Sequence, residues 1–432
     1  MGQIIESVDF GAIIRGARSA ARLTQTQLGA RCGYSASAIS RIEANKLRPE
    51  YSAMLRMCEV LAIPPERMRG SPVPDRAAVA TVTIVGPSDE EDSVRRRNLL
   101  TGALAAGATA VVGAGSASAT AFSGDPAAGL EDALFRLPPA EPMALPLLTA
   151  QAVAARRAFR DAHYNDLGRA LPRLLATAAA TRDAATGRAR QQASAVLARA
   201  YVLTAELASK QHSDAAWVAA DRALSAARDS GSPVPVGEAS RVLAITMRRS
   251  GRWSSAVQFL AREAAGLDAV EQRAAAVRTT LLLTAAYSAA TGGDRSTALA
   301  LLDEADADVE RLPDVPGLFT VEATRAQVDV YRIGALTALG TPDEGVKVAA
   351  GLNIDHMTSP ERRARAWTDV ARMNHALGNG SQTFEALRHV EQEAPQEVRR
   401  PALRALTSDL LYRPARMQGL REFAVRTGAL TS

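Results

Sequence analysis

The residues that carry chemistry in this chain are unevenly placed, and their types point away from covalent catalysis. There are two cysteines, Cys32 and Cys58, and neither sits in a CxxC pair. The five histidines, His163, His212, His356, His375 and His389, form no HxxxH or HExxH pair. No phosphate-cradling GxxxxGK[ST] loop, nucleophile motif or marked carboxylate pair occurs. The acidic run Asp303-Glu304-Ala305-Asp306-Ala307-Asp308 has the wrong spacing for a calcium loop and reads as a solvated helix face. The expectation is therefore no enzyme, no cofactor and no metal. Charge tells more. Residues 1–70 hold ten Arg/Lys against six Asp/Glu, nearly the whole of the chain's net +5. A positive excess confined to one small region is what phosphate neutralisation requires. The preference for arginine over lysine reflects GC-rich coding and carries no chemistry.

The elements that must position those charges can be read in the same region. Phe10, Ile13, Ile14 and Ala17 share one face of a first helix. Thr24-Gln25-Thr26-Gln27 fits a capping box, with Thr24 as N-cap and Gln27 reaching back. The helix it opens carries Leu28 inward and ends at Gly33, a residue suited to a left-handed turn. Ser35 caps the next helix, in which Ile39 and Ile42 face the core. Arg48-Pro49-Glu50 breaks the pattern. Tyr51–Leu61 is a further helix with Met54, Leu55, Cys58 and Leu61 inward, and Pro64-Pro65 opens a last short helix around Glu66–Arg69. Two short helices crossing at a tight bend between Leu23 and Ile63 form a helix-turn-helix, a unit that lays its second helix in a DNA major groove.

This stretch resembles the lambda-repressor and Cro type of helix-turn-helix, the XRE family, over roughly residues 8–70. Leu23-Thr24-Gln25, Gly33 and the run Ser35–Glu43 carry the likeness. The resemblance implies that Ala36, Ser37, Ser40 and Arg41 meet base edges, that Gln25 serves phosphate and the recognition helix, and that Asn45 and Lys46 contact phosphate. Arg41 is the best candidate for a guanine, because its planar fork matches O6 and N7 together. The competing reading for Arg41 is an ion pair with Glu43 or another nearby acid. For Ser37 and Ser40 it is a plain surface serine.

Residues 71–125 differ in composition. A Pro-, Val- and acid-bearing linker leads into an Arg-, Ala- and Gly-rich tether from Arg95 to Ala119. At an N-terminus this would look like a twin-arginine export signal, but a DNA reader precedes it. Its Ala, Gly, Ser and Thr are too weakly apolar for a membrane span. A cytoplasmic chain with reduced thiols and no membrane contact is expected.

From residue 126 to 432 helix follows helix. Breaks fall at 211–213, 250–252, 291–294, 339–341 and 377–379, about 40 residues apart, with a longer gap near Pro313 and Pro316. Paired helices at such a period form an α-solenoid. Ala244, Ala285 and Ala376 are small residues that allow close helix contact. Arg252-Trp253-Ser254-Ser255-Ala256-Val257 and Asp294-Arg295-Ser296-Thr297-Ala298-Leu299 repeat one pattern. These units resemble tetratricopeptide repeats, somewhat lengthened. The fold class expected is all-α: a five-helix N-terminal domain (1–70), a linker (71–125) and a tetratricopeptide-like α-solenoid.

In the resembling repeats the first helix of each pair lines a groove for extended peptides. Candidate lining residues are Arg241, Arg278, Arg325, Tyr331, Arg363 and Asn374. The asparagine suits a peptide backbone and arginine a terminal carboxylate. Each also fits a solvated or capped helix position. Helix-turn-helix followed by repeats resembles the peptide-pheromone-responsive regulators of Gram-positive bacteria and a set of actinobacterial regulators. That implies a homodimer on double-stranded operator DNA with paired half-sites, responding to a peptide or small-molecule signal. A DNA-localised docking scaffold, or a mobile-element repressor without a small ligand, is the alternative.

Overall fold

Alanine and leucine recur at helical spacing through most of the chain, and the computed structural model is helical, with no strand among the described residues. Those residues are 10–32, 34, 36–44, 47, 51–61, 63, 125–127, 129–268, 270–412 and 417–430, excepting the side chains of 10, 37 and 51–55. The tether, the turn residue Gly33, the cap Ser35, residues 48–50 and the short helix expected near 66–69 lie outside them.

The N-terminal part contains α1 (Phe10–Ala20), α2 (Gln25–Cys32), α3 (Ala36–Glu43) and α4 (Tyr51–Val60). Its core is Ile14, Leu28, Cys32, Ala38, Ile39, Ile42, Met57, Cys58, Leu61 and Ile63. The expected inward residues among these are inward; Ile13 and Ala17 only flank the core. Both thiols are free and buried, and burial raises their pKa.

The remainder begins with α5 (Leu130–Phe135) and continues as helix pairs. These are α6 (Leu145–Arg160) with α7 (Tyr164–Ala184), α8 (Gly187–Lys210) with α9 (Ala215–Asp229), and α10 (Pro233–Arg249) with α11 (Trp253–Ala265). Then come α12 (Gln272–Thr291) with α13 (Arg295–Val309), α14 (Arg325–Ala338) with α15 (Pro342–Gly351), α16 (Pro360–Ala376) with α17 (Gly380–Glu393), and α18 (Pro401–Leu411) with α19 (Leu420–Thr427). Capping residues fix the starts. Glu271 accepts from the N–H groups of Arg273 (3.0 Å) and Ala274 (2.6 Å), and Asp294 from that of Thr297 (3.1 Å). Proline stands in the first turn of α6, α10, α15, α16 and α18, where its missing N–H costs nothing.

One backbone device turns six of the pairs. The second residue after the first helix is left-handed: Ala162, His212, Gly251, Gly293, Gly340 and Gly378. The next N–H then bonds back to the carbonyl five residues earlier, as in His163 to Ala158 (2.8 Å) and Asp294 to Ala289 (2.9 Å). Arg252 to Met247 and Thr341 to Leu336 repeat it at 2.9 Å. Five of these turns coincide with the expected breaks. The sixth, at Ala162, has no glycine to announce it.

Neighbouring first helices lie side by side in the order α6, α8, α10, α12, α14, α16, and α16 also lies against α6. The row therefore curves back on itself. Helix α12, in the middle of the row, is apolar or hydroxylic almost all round. Its buried Thr284 and Ser288 hydroxyls donate to the carbonyls of Thr280 (2.9 Å) and Thr284 (2.8 Å), so no donor is stranded. Ala244, Ala285, Ala256 and Ala298 are buried at helix contacts as their small size suggests. Ala376 is not: it is exposed at the end of α16.

The longer gap around Pro313 and Pro316 runs without regular secondary structure into the interior. Leu318, Phe319, Thr320 and Val321 are buried. Side chains hold its backbone: Arg156 donates to the Thr320 carbonyl, Arg273 to those of Pro316 and Gly317 (both 3.1 Å), and Glu238 accepts from Phe319 N–H (2.9 Å). The Arg199 guanidinium covers the Phe319 ring at 4.8 Å.

Gly251 has φ +74°, and a Cβ there would meet nothing within 4 Å. Its substitution thus tests the turn alone. Gly251→Ala is expected to lower stability by about 1–2 kcal/mol, the cost of a side chain in the left-handed region. Equilibrium denaturant unfolding of the two proteins measures it.

Candidate nucleic-acid interface and interior charge network

The capping box at the start of α2 is formed on both sides: Gln27 N–H donates to Thr24 Oγ1 (3.1 Å), and Thr24 N–H to Gln27 Oε1 (2.9 Å). A second lock sets α3 on α1 and α2. Glu43, at the end of α3, is 3% exposed. Arg18 donates to both its oxygens, one at 3.1 Å, Gln25 Nε2 donates at 2.9 Å, and Arg15 reaches its carbonyl. Burial alone would raise the Glu43 pKa, but the bonds from Arg18 and Gln25 outweigh it and hold the carboxyl below its ordinary value. Sequence reasoning missed the Arg18–Glu43 pair. The only signal was two opposite charges amid otherwise apolar helix faces.

Of the expected DNA contacts, Gln25, Ala36, Ser40 and Arg41 have described side chains. Gln25 ties α2 to α3 through Glu43, which fits its expected service to the recognition helix. Ala36 is half-buried and Ser40 exposed. The side chain of Ser37, and Asn45 and Lys46, lie outside the described residues. Arg41 does pair with an acid, but Glu43 is already taken. The partner is Asp343 in the first turn of α15, with 3.8 Å between Nη1 and Oδ1. Neither atom has a hydrogen-bond partner among the described residues, so the contact is Coulombic only.

The N-terminal part touches the repeat turns at two further points. The Tyr34 ring lies against Gly340, where a Cβ would stand 3.1 Å from it. The Arg56 guanidinium lies against Gly293, 3.4 Å from a Cβ there.

Most of the candidate groove residues are engaged with neighbouring groups. Arg278 is spent on Asp308 and Glu304 of α13, Arg325 on Asp306 (2.8 Å), and Arg363 on Glu393 (2.7 Å). Asn374 donates to the carbonyl of Val370 in its own helix (3.1 Å). Only Arg241 and Tyr331 converge, at 3.2 Å between Nη2 and the hydroxyl.

Around that pair runs a buried charge network that the sequence did not announce. Glu206 bridges Arg241 (3.0 Å) and Arg156 (2.7 Å). Glu361 accepts from Lys210 (2.8 Å) and Arg362. Glu397 takes Lys210 (3.0 Å), Arg400 (2.8 Å) and the Tyr164 hydroxyl (2.7 Å). Asp369 takes Arg365 (2.9 Å) and lies 3.8 Å from Arg372. Against the penalty of burial, Arg241, Arg362 and Arg365 bring the Tyr331 hydroxyl down to about 8. Burial, and the cations Arg365 and Arg241, bring Arg248 down to about 10.

Residues 9–70 match the family model of a helix-turn-helix domain. No curated protein and no solved structure matches the chain. The matched segment contains α1–α4 and supports a DNA-binding regulator; the repeats carry no family match. No helix of the described residues is long and apolar enough to cross a membrane.

Because its folded pKa is depressed, Glu43 contributes stability that is present above its unfolded value, near 4.5, and lost as pH falls through the folded one. Glu43→Gln is expected to cost about 1.5–3 kcal/mol at neutral pH through weakened charge-assisted bonds. It should also remove this part of the acid dependence. Amide hydrogen exchange in α1–α3 between pH 3 and 7 reads both.

Proposed function

We propose that this protein is a sequence-specific transcriptional regulator whose repeat domain receives a signal and joins two copies over paired half-sites. The observation that carries the reading is the helix-turn-helix match over α1–α4, with α3 locked to α1 and α2 through Glu43. In this reading Arg41 reads a base edge, Ala36, Ser37 and Ser40 border it, and Gln25, Asn45 and Lys46 serve phosphate or hold the helix to it. A single reader of this size gives little discrimination. Two readers one helical turn apart give much more, which is the physical case for a dimer.

The contact with α15 adds a mechanism. A guanidinium engaged with Asp343 is not available to a guanine, so docking on the repeats and reading DNA compete for one side chain. A signal that shifts the turn at Gly340 would then change the availability of Arg41.

Recovery of genomic DNA fragments by the purified protein, followed by binding titrations on a recovered site and on random DNA, tests the reading. Arg41→Ala is expected to weaken specific binding by about 1–3 kcal/mol and to relax one base position. Equal losses on both DNAs would remove its base-reading role. Asp343→Ala is expected to tighten binding by up to about fivefold, since an ion pair without a hydrogen bond contributes about 0.2–1 kcal/mol. Unchanged affinity would remove the competition.

A further inference from the structure

We propose that the interior faced by α10, α12, α14 and α16 is a binding site for a small, multiply charged anion, a phosphate ester or a polycarboxylate. This deepens the regulator reading by naming the chemical class of its signal.

The argument is one of charge balance. Arg241, Arg248, Arg362 and Arg365 surround the hydroxyl-bearing rings of Tyr287 and Tyr331. The Arg248 guanidinium stacks over Tyr287 at 4.7 Å, and Tyr287 meets Tyr331 edge-on at 6.3 Å between centroids. Tyr331 in turn receives Arg241 at 3.2 Å. The carboxylates beside them are Glu206, Glu361 and Asp369, and each already serves two cations. Arg248 has none among the described residues. A folded interior ordinarily pairs its charges, because an uncompensated one is expensive away from water. Here the cations outnumber the carboxylates, and the surplus collects where Arg248 stands on an aromatic face.

The surplus is reachable and directional. Arg365 is 29% exposed and both tyrosines are only half-buried, so the cluster touches solvent. A small cavity of about 60 Å³ adjoins it at Arg362. Its lining is charge-balanced: Arg160 pairs with Glu322 at 2.7 Å, and Arg362 with Glu361. The excess lies in the cluster itself, where planar guanidinium forks suit the paired oxygens of a phosphate or carboxylate. The tyrosine hydroxyls supply neutral donors to the same anion, and the lowered Tyr331 pKa agrees with that positive field.

Titration of the full chain with pyrophosphate and with citrate, at matched ionic strength and with sodium chloride as reference, tests this by calorimetry and thermal unfolding. Saturable binding of one or both, with a raised Tm, is expected. Pyrophosphate alone would mark a phosphate ligand, and citrate alone a carboxylate. Arg248→Met keeps the stem over Tyr287 and should weaken that binding at least about tenfold, as loss of a charge-assisted bond does. The apo protein should keep its Tm or gain. Tyr331→Phe, should Arg248→Met fail to fold, is expected to weaken it less. Binding no stronger than that of chloride, or affinity unchanged in the folded variants, overturns the proposal. Arg41→Ala separates the two readings: it should bind the anion like the parent protein while losing its operator. A parent protein that binds the anion but no operator would count against the regulator reading alone.

Discussion

A single left-handed residue at the end of a helix sets the architecture of the repeat domain. It reverses the chain within three residues, satisfies the last carbonyls of the first helix and starts the second at a fixed angle. Six such turns in succession place the first helices side by side. Small residues such as Ala244 and Ala285 then let them approach closely enough to bury one another. Two of the same turns, at Gly293 and Gly340, have no side chain at the point where Arg56 and Tyr34 rest. The feature that folds the repeats thus also provides the surface that meets the DNA reader.

The interior obeys a different rule. Alanine fills the contacts between helices, and long charged side chains fill the space the curved row encloses. Arg156, Lys210 and Arg241 reach across that space because their apolar stems can be buried while their heads find carboxylates. Such a network does not add stability as an apolar core would, since desolvation offsets much of the attraction. It does fix which helices face which. Glu206 joins α6 to α10 through α8, and Glu361 and Glu397 tie α16 and the segment after α17 to Lys210 at the end of α8.

Much of this was legible in the sequence, and the reasons are local. Thr24 and Gln27 announce α2 because a capping box involves only neighbours. Gly251, Gly293, Gly340 and Gly378 announce their turns because few other residues accept that conformation. What stayed hidden was settled by distant partners. Arg41 was readable as an ion-pairing residue, but its pairing with residue 343 depends on how two regions of the chain meet. Ala162 is left-handed with no composition to mark it. The arginines of the first helices could not be sorted from spacing alone. Whether a side chain meets the adjacent second helix, as Arg278 does, or the interior, as Arg241 does, depends on small rotations of each helix about its axis.

The meeting of α6 with α16 has a kinetic side. In an open array each repeat leans only on its neighbours, and unfolding can proceed from an end. Here Tyr164 bonds Glu397, Lys210 bonds Glu361, and Arg156 bonds the Thr320 carbonyl, joining residues more than 150 positions apart. Such pairings form late, after much of the chain has lost its freedom, and they slow the search for the native state. They also bind early repeats to late ones in one cooperative unit. Clipping helices from either end would therefore not leave a shorter, intact array: it would remove the partners that hold the opposite end.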